Sequence, residues 1–114
     1  MSTDAMDAAK IVQDALEDKL AEDIRMLDLR GLSNIADCFV IASGKNVNHL
    51  RAMADEVEQK LFAAGVKLHH CEGYSSGTWI LLDFGNMLVH LFNKEERAFY
   101  GLEHVWGDAK DVVV

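Results

Sequence analysis

The side chains of this chain that could do chemistry fall in a few places. Asp28 and Asp83 stand near the ends of apolar, strand-like runs, and Ser43-Gly44 precedes a helical stripe. Carboxylates at strand ends beside a turn that can cradle phosphate are the materials of a metal-assisted phosphoryl-transfer site. Such a site needs two or more carboxylates converging on the metal, and neither run carries an Asp-x-Asp doublet; a lone Ser-Gly is a common turn. His69-His70-Cys71 has zinc-ligand types, but adjacent strand residues point to opposite faces and no second ligand pair stands at usual spacing. Ser33 or Cys38 with a histidine and an aspartate would make a triad, yet no nucleophile elbow surrounds either residue. The reading is therefore of a binding protein with no catalytic residue, metal or cofactor, and a nucleotidyltransferase-like enzyme with a metal near Asp83 is the alternative.

The segment from Thr78 to Phe92 carries more information. Two apolar runs of matching length, Thr78 to Phe84 and Met87 to Phe92, are separated only by Gly85-Asn86, which predicts a β-hairpin with a two-residue turn. The turn fixes the register: Phe84 opposite Met87, Asp83 opposite Leu88, Leu82 opposite Val89, Leu81 opposite His90, Ile80 opposite Leu91 and Trp79 opposite Phe92. Period-two alternation puts Ile80, Leu82, Phe84, Met87, Val89 and Leu91 on one face, which must be core. The other face holds Trp79, Leu81, Asp83, Leu88, His90 and Phe92. A carboxylate and an imidazole among aromatic and aliphatic groups have the composition of an interface, with Trp79 as an anchor. The same face also reads as a second core, covered by the N- or C-terminal helix, with Asp83 and His90 satisfied locally.

The elements that must position this hairpin follow from periodicity. Ala8, Val12, Leu16 and Leu20 recur every fourth residue and predict an amphipathic helix over Thr3 to Ala21. Ile24 to Leu29 reads as a strand closed by Arg30-Gly31, and Cys38 to Ala42 as a central strand covered on both faces. Leu50, Met53, Ala54, Val57 and Leu61 set a second helix ending at Gly65, and Val66 to Cys71 can form the next strand. Strand, helix, strand is a βαβ unit, which calls for parallel pairing. Asn93 with Glu96 has the form of a capping box, opening a last helix with Phe99, Leu102, Val105 and Trp106 on its apolar face. The fold class is α/β: one domain over residues 1–114, with a mixed sheet of about five strands, a βαβ unit and a C-terminal hairpin, flanked by helices.

The chain's 114 residues, half of them apolar, suffice for one core without disulfides. No run of about 18 apolar residues exists to span a bilayer, the start is acidic, and Cys38 and Cys71 sit in apolar segments; the expected location is cytoplasmic. With 11 basic against 19 acidic residues the net charge is −8, and no three cations are consecutive. That balance disfavours a phosphate backbone as partner. It suits either simple solubility or a basic protein surface.

Several ordered blocks resemble a known family. Asp37-Cys38-Phe39-Val40-Ile41-Ala42-Ser43-Gly44, Ala52-Met53-Ala54-Asp55, Glu72-Gly73, Trp79 through Gly85, Val89-His90-Leu91-Phe92, Arg97 with Tyr100, and Leu102-Glu103 with Trp106 are similar, in order and spacing, to the Iojap-related ribosomal silencing factors. The resemblance covers roughly Ala5 to Asp108. It implies a nucleotidyltransferase-like fold without that activity, and binding to the large ribosomal subunit through large-subunit protein fourteen. Small-subunit joining is then blocked sterically and translation repressed. It further implies a homodimer; hydropathy and charge argue against a membrane or a sequence-specific nucleic acid partner. Trp79, Asp83, Phe84, Gly85 and His90 are the positions it places at or behind the contact, with Arg97 and Tyr100 on the following helix. Asn46, Asn48 and Asn86 depart from the family's usual Ser, Arg and Asp; this weakens any anion-binding role for the Ser43 to Asn48 turn and leaves its helix-capping role intact.

Overall fold

The computed structural model describes residues 5–31, 36–94 and 110–111, with no account of the side chains at 5, 6, 110 and 111. Helix α1 spans Ala5–Asp18, strand β1 Glu22–Asp28, strand β2 Cys38–Gly44, helix α2 Val47–Ala63, strand β3 His70–Glu72, strand β4 Trp79–Asp83, strand β5 Met87–Asn93 and strand β6 Lys110–Asp111. The six strands form one sheet in the order β3-β4-β5-β2-β1-β6. Among the described residues, no helix is long and apolar enough to cross a membrane.

The first face of the sheet carries both described helices. Ala8, Ala9, Val12, Ala15 and Leu16 of α1 and Leu50, Met53, Ala54, Val57 and Leu61 of α2 close over Met26, Val40, Ile80, Leu82, Val89 and Leu91. Leu20, expected on the α1 stripe, is instead 74% exposed, because the helix stops at Asp18 and Leu20 turns out of it at a φ of 58°. Helix α2 starts where the side chain of Asn46 accepts from the His49 N–H at 2.8 Å, the capping expected of that turn. His49 in turn ties the helices together: its Nδ1 accepts from the Lys45 N–H, so its Nε2–H donates to the Lys19 carbonyl at 2.7 Å.

Strand β2 is central and every one of its residues is buried, as its unbroken apolar run requires. The strand-helix-strand unit β2-α2-β3 is present, and its strands run the same way, but they do not pair. The hairpin β4-β5 is inserted between them, so the parallel ladder joins β2 to β5, from Cys38 opposite Met87 to Gly44 opposite Asn93. Strand β3 is shorter than the run from Val66 suggested, because only His70 to Glu72 lie alongside β4. Strand β6, two residues paired antiparallel with β1, carries no pattern in sequence that would have marked it. The last-helix expectation from Asn93 to Trp106 falls largely outside the described residues.

Candidate binding face of the hairpin

The β4-β5 ladder pairs Trp79 with Phe92, Ile80 with Leu91, Leu81 with His90, Leu82 with Val89 and Asp83 with Leu88, the register that the two-residue turn dictates. Gly85 holds that turn at a φ of 92°, in the left-handed region, and its N–H donates to Oδ1 of Asp83 at 2.8 Å. Asp83 thus closes the turn with one oxygen while remaining half-buried on the second face. Phe84 is 5% exposed and packs into the first-face core, so it can support the second face only through the turn it adjoins. Arg97 and Tyr100 lie outside the described residues.

On the second face, Leu27, Leu29, Ala36, Phe39, Ile41 and Phe92 form a separate buried cluster, and the partly covered Trp79 and Leu88 pack against it. The face therefore divides: Phe92 and His90 are buried, whereas Trp79, Leu81, Asp83 and Leu88 are each half-covered. An aromatic group stands at its centre. The rings of Trp79 and Phe92 stack with centroids 5.1 Å apart, and Phe39 meets His90 edge-on at 4.7 Å. The Trp79 Nε1–H donates to Nδ1 of His90 at 3.3 Å. Nδ1 is therefore unprotonated, and Nε2 carries the hydrogen. That Nε2 is buried and has no hydrogen-bond partner among the described residues. Burial also pushes the imidazole pKa down to about 4, so His90 is neutral at physiological pH.

Trp79 borders an open cleft of about 200 Å³ that Glu72, Gly73 and Leu81 also line. Register places Glu72 beside Leu81 and His70 beside Asp83, so carboxylates edge the aromatic group. His70 and Glu72 bond to each other at 3.0 Å, and Cys71 points to the opposite face, toward the first core. Among the described residues, no three His, Cys, Asp or Glu side chains converge as a metal site. The chemistry on offer is recognition by an aromatic anchor, apolar area and a negative edge.

The sequence marks Glu72 to Gly77 as a loop but assigns no role to its segment Gly73–Gly77 behind the cleft. Arg51 Nε donates to the Tyr74 carbonyl at 2.9 Å and its Nη2 to the Ser75 carbonyl at 2.6 Å. The Tyr74 hydroxyl reaches both oxygens of Asp55 at 3.1 Å. The only signal in sequence was the pair of glycines at the loop's ends.

Fold and face together define a small α/β protein with helices packed on one side of a mixed sheet and an aromatic, acid-edged surface on the other. Its relatives are specific. The family model "Ribosomal silencing factor during starvation" matches residues 2–114. The ribosomal silencing factor of Bacillus subtilis is 41% identical over 100 residues, covering 88% of this chain and 85% of that protein. A crystal structure of a Chromobacterium violaceum protein superposes with a TM-score of 0.89 at 33% identity, over 92% of this chain and 88% of that one. A mouse protein named for mitochondrial assembly of the ribosomal large subunit is 32% identical over 94 residues, 80% of this chain and 41% of its own length. The chain belongs to the ribosomal silencing factor family.

Proposed function

We propose that this protein represses translation in the cytoplasm by docking on the large ribosomal subunit, through large-subunit protein fourteen, and obstructing association with the small subunit. Family membership supports a ribosome-associated silencing role, and the name of the mouse relative points to the large subunit. The observation that carries the docking itself is the half-covered Trp79, which borders an open cleft beside Glu72 and close to other carboxylates on a chain of net charge −8. Ribosomal proteins are generally basic, so a negative, aromatic-centred face complements a protein surface better than it does rRNA. The action is steric and regulatory rather than enzymatic. Self-pairing of two chains also belongs to the reading.

The direct test is binding of the purified protein to isolated large-subunit protein fourteen at low and high salt. A complex that weakens as salt rises supports the reading, since screening reduces the attraction between opposite charges. Absence of a complex at low salt would refute protein fourteen as the docking partner.

A further inference from the structure

We propose that Arg51, Tyr74 and Asp55 form a clamp that fixes the loop Gly73–Gly77 and so positions Trp79 for docking. These are positioning residues, and the inference rests on the reading of Trp79 as the anchor of the contact. Tyr74, Ser75 and Ser76 are exposed, so the apolar core does not order them. What orders them is one face of α2, where Arg51 and Asp55 stand one turn apart.

The guanidinium works as a fork. It bridges two consecutive backbone carbonyls, of Tyr74 and Ser75, while its carbon lies 5.5 Å from the centre of the Tyr74 ring. Tyr74 then returns to the helix by bonding Asp55, so the ring is held between a cation on one side and an anion at its tip. Within the loop, the Gly77 N–H and the Ser76 hydroxyl both donate to the Gly73 carbonyl, at 3.0 and 3.1 Å.

Both ends of the loop transmit this hold. Gly73 lies so close to the next strand that a Cβ there would overlap the Trp79 carbonyl oxygen, and a Cβ on Gly77 would overlap the Val47 side chain. The Gly73 backbone is thus wedged against the backbone of Trp79, and it forms a wall of the same cleft. A loop displaced from α2 would therefore press on, or withdraw from, the Trp79 backbone and reshape the cleft that its side chain borders. Ordering the loop before contact removes that entropy cost from the binding step.

The test uses the full chain in Arg51→Ala, Arg51→Lys and Tyr74→Phe forms, each carrying Trp106→Phe so that Trp79 is the sole indole. Three quantities are read: hydrogen exchange at the Gly77 amide, acrylamide quenching of Trp79 fluorescence, and affinity for large ribosomal subunits by sedimentation. Arg51→Ala is expected to speed Gly77 exchange at least tenfold, raise Trp79 quenching and weaken subunit binding about tenfold. Arg51→Lys keeps the charge but not the fork, so it should recover little of this loss. Tyr74→Phe, which removes only the hydroxyl, should show a smaller shift in the same direction. Unchanged exchange in Arg51→Ala overturns the clamp, as does loosened exchange with undiminished binding. If Trp79→Ala also binds like the parent, the docking face itself is misassigned; if Trp79→Ala loses binding while the Arg51 variants keep it, only the clamp fails.

Discussion

The indole of Trp79 donates to Nδ1 of His90 across the β4-β5 ladder, and that one bond sets the tautomer of a buried imidazole whose other nitrogen has no partner among the described residues. Trp79 is half-covered while His90 is buried, so the pair joins the exposed part of the second face to its interior. Disturbing either residue should be felt by the other.

The burial of His90 makes stability depend on pH in one direction. Its pKa falls from the ordinary 6.5 to about 4 on folding, so between those values the unfolded chain binds more protons. Stability from this group is therefore complete above pH 6.5 and declines as the pH drops toward 4, by up to about 3 kcal/mol. Denaturant titrations at pH 7 and pH 4.5 should show this decline in the parent. His90→Asn keeps an acceptor near Nδ1 but cannot titrate, and should show a shallower dependence. Equal slopes for the two proteins would mean that the imidazole is not buried neutral.

Trp79 and Leu82 separate binding from folding. Leu82 is 1% exposed in the first-face core, so Leu82→Ala should cost about 2–5 kcal/mol of stability. Trp79→Ala should leave a cooperative thermal transition and remove about 2 kcal/mol or more of large-subunit affinity. Calorimetry together with sedimentation binding checks both. A Trp79→Ala protein that fails to fold would make the second face a core and not a contact surface.

The two cysteines should differ in reactivity. Burial pushes the Cys38 thiol up to about 12 and removes it from solvent, whereas Cys71 is half-exposed and raised chiefly by its partial burial, with Glu58 and Asp55 adding to it. Since the thiolate is the reactive form, an alkylating reagent at neutral pH should modify one thiol in the native protein, slowly, and both in denaturant. Mass spectrometry locates the label, and early labelling of Cys38 would contradict the buried central strand.

Gly85 tests the turn. A side chain at its φ of 92° is strained, and a Cβ would lie 3.0 Å from the His69 ring, so Gly85→Ala should cost about 1–2 kcal/mol by chemical denaturation. No loss of stability would indicate a different turn.

The hairpin was legible in sequence because a two-residue turn leaves no freedom in register, and that register already makes Trp79 and His90 diagonal neighbours on one face. Strand β2 was legible because continuous apolarity demands cover on both sides. What stayed hidden depends on chain-distant pairing. Nothing local says that β5 rather than β3 lies beside β2, or that Lys110–Asp111 adds an edge strand. The second face was ambiguous because alternation names its residues but does not say which are covered: His90 is buried and Trp79 half-covered. Arg51 and Tyr74 are 23 positions apart and on no shared periodicity, so their contact emerges only in three dimensions.

In the proposed function the second face of the hairpin holds this protein on the large subunit and keeps the small subunit away. Density-gradient sedimentation of purified large and small subunits, mixed with the protein or with Trp79→Ala, tests this. The expected result is comigration of the parent with large subunits and a lowered yield of joined ribosomes, both lost in Trp79→Ala. An undiminished yield of joined ribosomes with the parent bound, or equal repression by Trp79→Ala, would contradict it.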